Sequence, residues 1–74
     1  MAKLPRVSGR ECGKALEKVG FYLKRWGKGD HMIFRRDNPF AQVTIPDHAE
    51  LDRGTLKAIL NGASLTVDEF VELL

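Results

Sequence analysis

A chain of 74 residues with a net charge of +2 and one cysteine makes a single domain, residues 1–74, with no disulfide or cysteine-rich metal site to staple it. The mild charge excludes a strongly basic tail of the kind that condenses onto nucleic acid, and no apolar run approaches the ~18 residues of a membrane-spanning helix. A lone thiol and an N-terminus without the apolar stretch of a signal peptide point to a cytoplasmic protein with no membrane attachment.

The charges are unevenly placed. Residues 1–36 hold ten of the twelve Lys and Arg residues but only Glu11, Glu17 and Asp30 among the acids. The basic half therefore favours a polyanion surface.

In chain order, Pro5 and Val7 imply an extended approach segment. Ser8 and Glu11 have the spacing of a capping box, so a helix starts at Ser8. Cys12, Ala15, Leu16 and Val19 fall on one face of that helix, and Gly20 is placed to end it at C′. Gly9 and Gly13 each weaken a helix by ~1 kcal/mol relative to alanine, which suggests either close packing or low stability.

Three strands follow, over residues 21–26, 31–36 and 41–45. Residues 27–30, Gly-Lys-Gly-Asp, form the first turn and residues 37–39, Asp-Asn-Pro, the second. Alternation puts Met32, Phe34 and Arg36 on one face of the second strand and His31, Ile33 and Arg35 on the other. In the third strand Ala41, Val43 and Ile45 point inward. For the first strand the reading is Phe21 and Leu23 inside, with Tyr22, Lys24 and Trp26 outside. If the helices cover one face, His31 lies on the open one.

After a loop, Asp52 caps a second helix, with Leu51 and Leu56 as a hydrophobic staple, and Gly62 is expected to end it. The stripe is Leu56, Ile59 and Leu60. Thr66 and Glu69 repeat the capping box, and Val67, Phe70, Val71 and Leu74 form the apolar face of a last helix that packs on the core or docks a partner. The expected fold is α+β, a two-layer sandwich of order α-β-β-β-α with a short extra C-terminal helix.

Three groups of residues are able to carry chemistry. A neutral His31 imidazole can remove the proton of a ribose 2′-hydroxyl, which then displaces the next nucleotide's 5′-oxygen and leaves a cyclic phosphate with no metal or other cofactor. The other reading of His31 is a solvated or hydrogen-bonded residue at a strand start. Lys24, Arg25, Lys28, Arg35 and Arg36, interleaved with Tyr22 and Trp26, suit single-stranded RNA, and the amides around Gly29 suit a phosphate; the alternative is a solvated charged face. His48 lies among acidic neighbours, remote in sequence from the basic strands, and reads as a loop residue. Cys12 reads as a core thiol.

Taken in order, Gly20-Phe21, Arg25, Gly29-Asp30-His31, Phe34, Val43-Thr44-Ile45-Pro46, His48 and Gly54-Thr55-Leu56-Lys57-Ala58-Ile59-Leu60 resemble the HicA toxin family of toxin–antitoxin systems, from about residue 8 to about residue 65. The resemblance implies a fold like the double-stranded-RNA-binding domain and a ribosome-independent mRNA interferase, an endoribonuclease. It implies that His31 is the catalytic histidine and that a HicB-type antitoxin covers it. The family's usual serine is Asp30 here, a carboxylate able to orient the His31 ring or to repel phosphate. Two readings from other classes remain: a non-catalytic RNA-binding module, and a protein-interaction domain centred on the last helix.

Overall fold

The computed structural model describes residues 3–74. Its order is α1 (Gly9–Glu17), β1 (Tyr22–Trp26), β2 (His31–Asp37), β3 (Phe40–Pro46), α2 (Arg53–Gly62) and α3 (Val67–Glu72). The strands form one antiparallel sheet in the order β1-β2-β3. The helices pack on one face of it, giving the expected α+β sandwich.

Local chemistry fixes the helix ends. Ser8 Oγ accepts from the Glu11 amide at 3.0 Å while Glu11 Oε1 accepts from the Ser8 amide at 2.8 Å. At the other end of α1 the Gly20 amide donates to the Glu17 carbonyl and the Phe21 amide to the Leu16 carbonyl, both at 3.2 Å. That pairing is a Schellman motif with Gly20 at C′, and Gly20 has the positive φ of +96° that this position demands. Asp52 caps α2 through the Thr55 amide at 2.7 Å, and Thr66 with Glu69 form the second capping box.

α2 ends at Gly62 as expected, but Gly62 is not the left-handed C′ residue. Leu65 N–H reaches the Leu60 carbonyl at 2.9 Å and Ser64 N–H the Asn61 carbonyl at 3.2 Å, so Ser64 is the C′ residue, at φ +59°. Gly62 is the last helical residue, and its close approach to β3 calls for glycine, since a Cβ there would come 2.9 Å from Val43 Cγ1. A serine pays for the left-handed conformation that glycine adopts freely. Ser64→Gly is therefore expected to stabilise the fold by about 0.5–1 kcal/mol, read as a higher melting temperature.

The core lies between the sheet and the helices. Leu16, Ile45, Leu56, Leu60 and Phe70 are its most completely buried large side chains. Leu51 and Leu56 are both buried, as the staple requires. The last helix packs on this core: Phe70 is fully buried, and Lys18 Nζ donates to the Leu73 carbonyl at 2.7 Å. Leu73, not Leu74, joins Val67 against the core, and Leu74 stays exposed. Cys12 is a core thiol whose burial pushes its pKa up to about 12, so it is inert as a nucleophile.

Gly9 and Gly13 mark close packing. A Cβ at Gly13 would meet the Phe34 ring, and one at Gly9 would collide with the Pro46 carbonyl oxygen. The first contact seats α1 on β2. The second seats its N-terminus on the end of β3, which positions the site described next.

Candidate functional site

The β1–β2 pairing decides which side chains reach the open face. Tyr22 pairs with Arg35 and Leu23 with Phe34, but the next pair is Arg25 with Ile33. Lys24 is thus the extra residue of a β-bulge. Directly opposed residues share a face, so Arg25 joins Ile33 on the open face and Trp26 joins Met32 on the helix side. Simple alternation puts Trp26 outside with Tyr22 and Lys24; it is indeed 47% exposed, but from the other side of the sheet. The bulge adds one residue and reverses the assignment beyond it.

His31 opens β2 and is paired with Pro46, on the open face with Ile33 and Arg35. It is exposed, and its ring makes none of the side-chain hydrogen bonds found among the described residues. The turn before it is closed by the Gly27 amide on the His31 carbonyl at 2.7 Å and the His31 amide on the Lys28 carbonyl at 3.4 Å. Gly29 takes φ +64° there, with open space around it.

Two further segments are tied to this turn. The Asp47 amide donates to the Asp30 carbonyl at 2.8 Å, and the Gly9 amide donates to the His48 carbonyl at 2.9 Å. Arg10 clamps the same loop through Nε and an Nη, each 3.0 Å from an Asp47 carboxylate oxygen. His48 Nε2 lies 3.2 Å from Asp30 Oδ2. The turn, the loop after β3 and the N-terminus of α1 are thus bonded around His31.

His48, read from the sequence as remote from the basic strands, is brought beside the histidine turn. The partial signal for this was the short β2–β3 turn: with Asp37 opposite Phe40 the register carries Pro46 opposite His31 and leaves His48 two residues further on. Asp30 engages His48, so the carboxylate next to His31 is directed to the second histidine.

The basic residues divide into two groups. Lys24, Arg25 and Lys28 are exposed and have no ion pair among the described residues. Arg35 lies on the open face, but its Nε donates to Asp37 Oδ1 at 2.8 Å and its guanidinium covers the Phe40 ring at 5.1 Å. Arg36 lies on the helix side, 4.8 Å from the Phe21 ring centroid, with Nε bonded to the Pro39 carbonyl at 2.9 Å. The structure therefore brings Lys28 and Gly29 to the turn beside His31, and Lys24 and Arg25 to the bulge. It separates Arg36 from them by the thickness of the sheet. Among the described residues no group of three or more His, Cys, Asp or Glu side chains is placed to hold a metal ion.

Two carboxylates of this region are shifted. The Arg10 hydrogen bond holds Asp47 below its ordinary value of 3.8, and the Thr55 amide and hydroxyl do the same for Asp52, with His48 contributing less to both. A carboxylate whose folded pKa is depressed stabilises the fold above its unfolded pKa, and the contribution is lost as pH falls through the folded value. Thermal stability is accordingly expected to fall from about pH 4 downward. Asp47→Asn should flatten that loss in melting curves recorded across the acid range.

A small antiparallel sheet covered on one face by helices, with a histidine turn and exposed cations on the other, defines a compact α+β domain. Its family follows from comparison: the model for the HicA toxin of bacterial toxin–antitoxin systems matches residues 9–65. The chain belongs to the HicA toxin family, and is the toxin of a toxin–antitoxin pair with a cognate antitoxin as partner. No curated protein matches the chain at a significant level. Among the described residues no helix is long and apolar enough to cross a membrane.

Proposed function

We propose that this toxin is a metal-independent endoribonuclease that cuts mRNA, with His31 as its acid/base. RNA carries its own nucleophile. Removing the 2′-hydroxyl proton lets that oxygen attack the adjacent phosphorus, and protonating the departing 5′-oxygen completes the cleavage. One imidazole serves both proton transfers in turn, taking the 2′-hydroxyl proton and handing a proton to the departing 5′-oxygen. Charge on the phosphorane is met by Lys28 and by the amides of the turn at Gly29, with Arg25 next along the face.

The observation that carries the reading is the setting of His31. It is exposed at the end of β2, on a turn bonded to the loop after β3, itself held by α1, and Lys28, without an ion pair among the described residues, is in that same turn. The α-β-β-β-α order supports it too, being the order the double-stranded-RNA-binding resemblance implies. On this reading the antitoxin is of the HicB type, neutralises the toxin by covering His31, and meets it in the cytoplasm.

A second reading, a non-catalytic RNA-binding module, is favoured by one observation: no described side chain orients the His31 ring, whereas a working base is usually held by a third group. Incubating the purified chain with a mixed-sequence mRNA in EDTA separates the two. Fragmentation is expected. Intact RNA that still binds would replace the first reading by the second, and neither binding nor cleavage would overturn both.

A further inference from the structure

A second cluster occupies the open face at the end of β2 away from His31. Phe40 is 65% exposed although it is a β3 residue, and it lies directly opposite Asp37. The Arg35 guanidinium sits over its ring at 5.1 Å and is held there by Asp37 at 2.8 Å. The Tyr22 hydroxyl lies 3.1 Å from each Asp37 carboxylate oxygen. Four side chains from all three strands thus meet at one spot. The hydrogen bonds fix the Arg35 and Tyr22 side chains before any ligand arrives, which lowers the entropy lost on binding.

We propose that Phe40, backed by Arg35, is a base-stacking subsite for single-stranded RNA, a few nucleotides from the bond that His31 addresses. The proposal rests on the RNA-cleaving reading above and assigns it a substrate-gripping surface. A ring with a guanidinium on one side and solvent on the other offers a flat face to a nucleobase. At ~3.3 Å per residue, β2 carries this platform about 20 Å from His31 on the same face.

The choice of occupant follows from what else lies on that face. Arg25 and, at the bulge, Lys24 are exposed without an ion pair among the described residues, and Lys28 is in the turn beyond. A single strand answers both features, with bases for Phe40 and phosphates for the cations. An apolar protein segment would use Phe40 and leave the cations unanswered. A duplex keeps its base faces stacked within itself.

The test measures binding of a short fluorescein-labelled single-stranded RNA by anisotropy, in a His31→Ala background so that the probe is not cut. Phe40→Ala is expected to weaken binding about tenfold, with an unchanged dependence on salt. Phe40→Tyr should restore it, and Arg25→Ala should instead flatten the salt dependence. Phe40→Ala that binds as tightly as its parent while circular dichroism shows the same fold would overturn the subsite. So would Phe40→Tyr binding as weakly as Phe40→Ala, or loss of antitoxin binding with RNA binding untouched. If the wild type neither binds nor cuts RNA, the RNA reading itself falls, an outcome distinct from loss of the subsite alone.

Discussion

Replacing His31 with alanine is expected to lower RNA cleavage by about 10²–10⁴-fold, the range for losing a general acid/base, while leaving the fold and RNA binding in place. The separation of effects follows from the geometry. His31 is exposed, and the hydrogen bonds that close its turn come from its backbone, which alanine keeps. Surface substitutions of this kind change stability by about 0.5 kcal/mol or less. On the proposed reading Lys24, Arg25 and Lys28 remain to hold phosphate. Cleavage by the variant at the wild-type rate would remove His31 from the mechanism. Loss of binding together with cleavage would make it a contact residue.

Gly9→Ala is expected to cost about 2 kcal/mol, a large share of the roughly 4–11 kcal/mol available to a domain of this size. In an open helix the same change would stabilise by up to ~1 kcal/mol. Here the new Cβ collides with the Pro46 carbonyl oxygen and lies 3.0 Å from its carbon and 3.2 Å from the Asp47 Cα. These are backbone atoms, so no side-chain rotation relieves the clash. The start of α1 must move away from the loop after β3. That movement strains the bond between the Gly9 amide and the His48 carbonyl, and with it the loop that packs against the histidine turn. Melting temperature should drop by about 8–16 °C, and cleavage should fall in the protein that remains folded. Gly54→Ala serves as the contrast, since its Cβ would meet only Asp52 Oδ1 at an ordinary 3.6 Å. It should melt at or above the wild type.

These two positions show which parts of the molecule could be read from the sequence. Both capping boxes, the Asp52 cap, the Gly20 end of α1 and the Leu51–Leu56 staple were legible because each is settled within a few residues. The three strands were legible, and so were the faces of β3, whose alternation is regular, and of β2, where Ile33 on the open face is nevertheless buried. The face of Arg25 and Trp26 was not, because the bulge at Lys24 comes from the register against β2. Gly62 was legible as the end of α2, but Ser64 was missed as the left-handed residue beyond it, because Gly62 is small for a different reason, its close approach to Val43. His48 was missed because its place beside Asp30 depends on the Asp47–Asp30 and Gly9–His48 hydrogen bonds, which join segments far apart in sequence. The candidate site was half legible. His31, Lys28 and Gly29 lie in one short stretch, whereas the commitment of Arg35 to Asp37 and Phe40, and of Arg36 to Phe21, appears only in the folded chain.

In the proposed reaction the RNA's own 2′-oxygen is the nucleophile and His31 moves the protons. The most direct measurement is the chemistry of the fragment ends, by mass spectrometry of RNA cut by the wild-type toxin in EDTA. The expected ends are 5′-hydroxyls paired with 2′,3′-cyclic phosphates. Fragments carrying 5′-phosphate and 3′-hydroxyl ends would contradict that reaction, because those ends arise from attack by water and leave no role for a base at the 2′-hydroxyl.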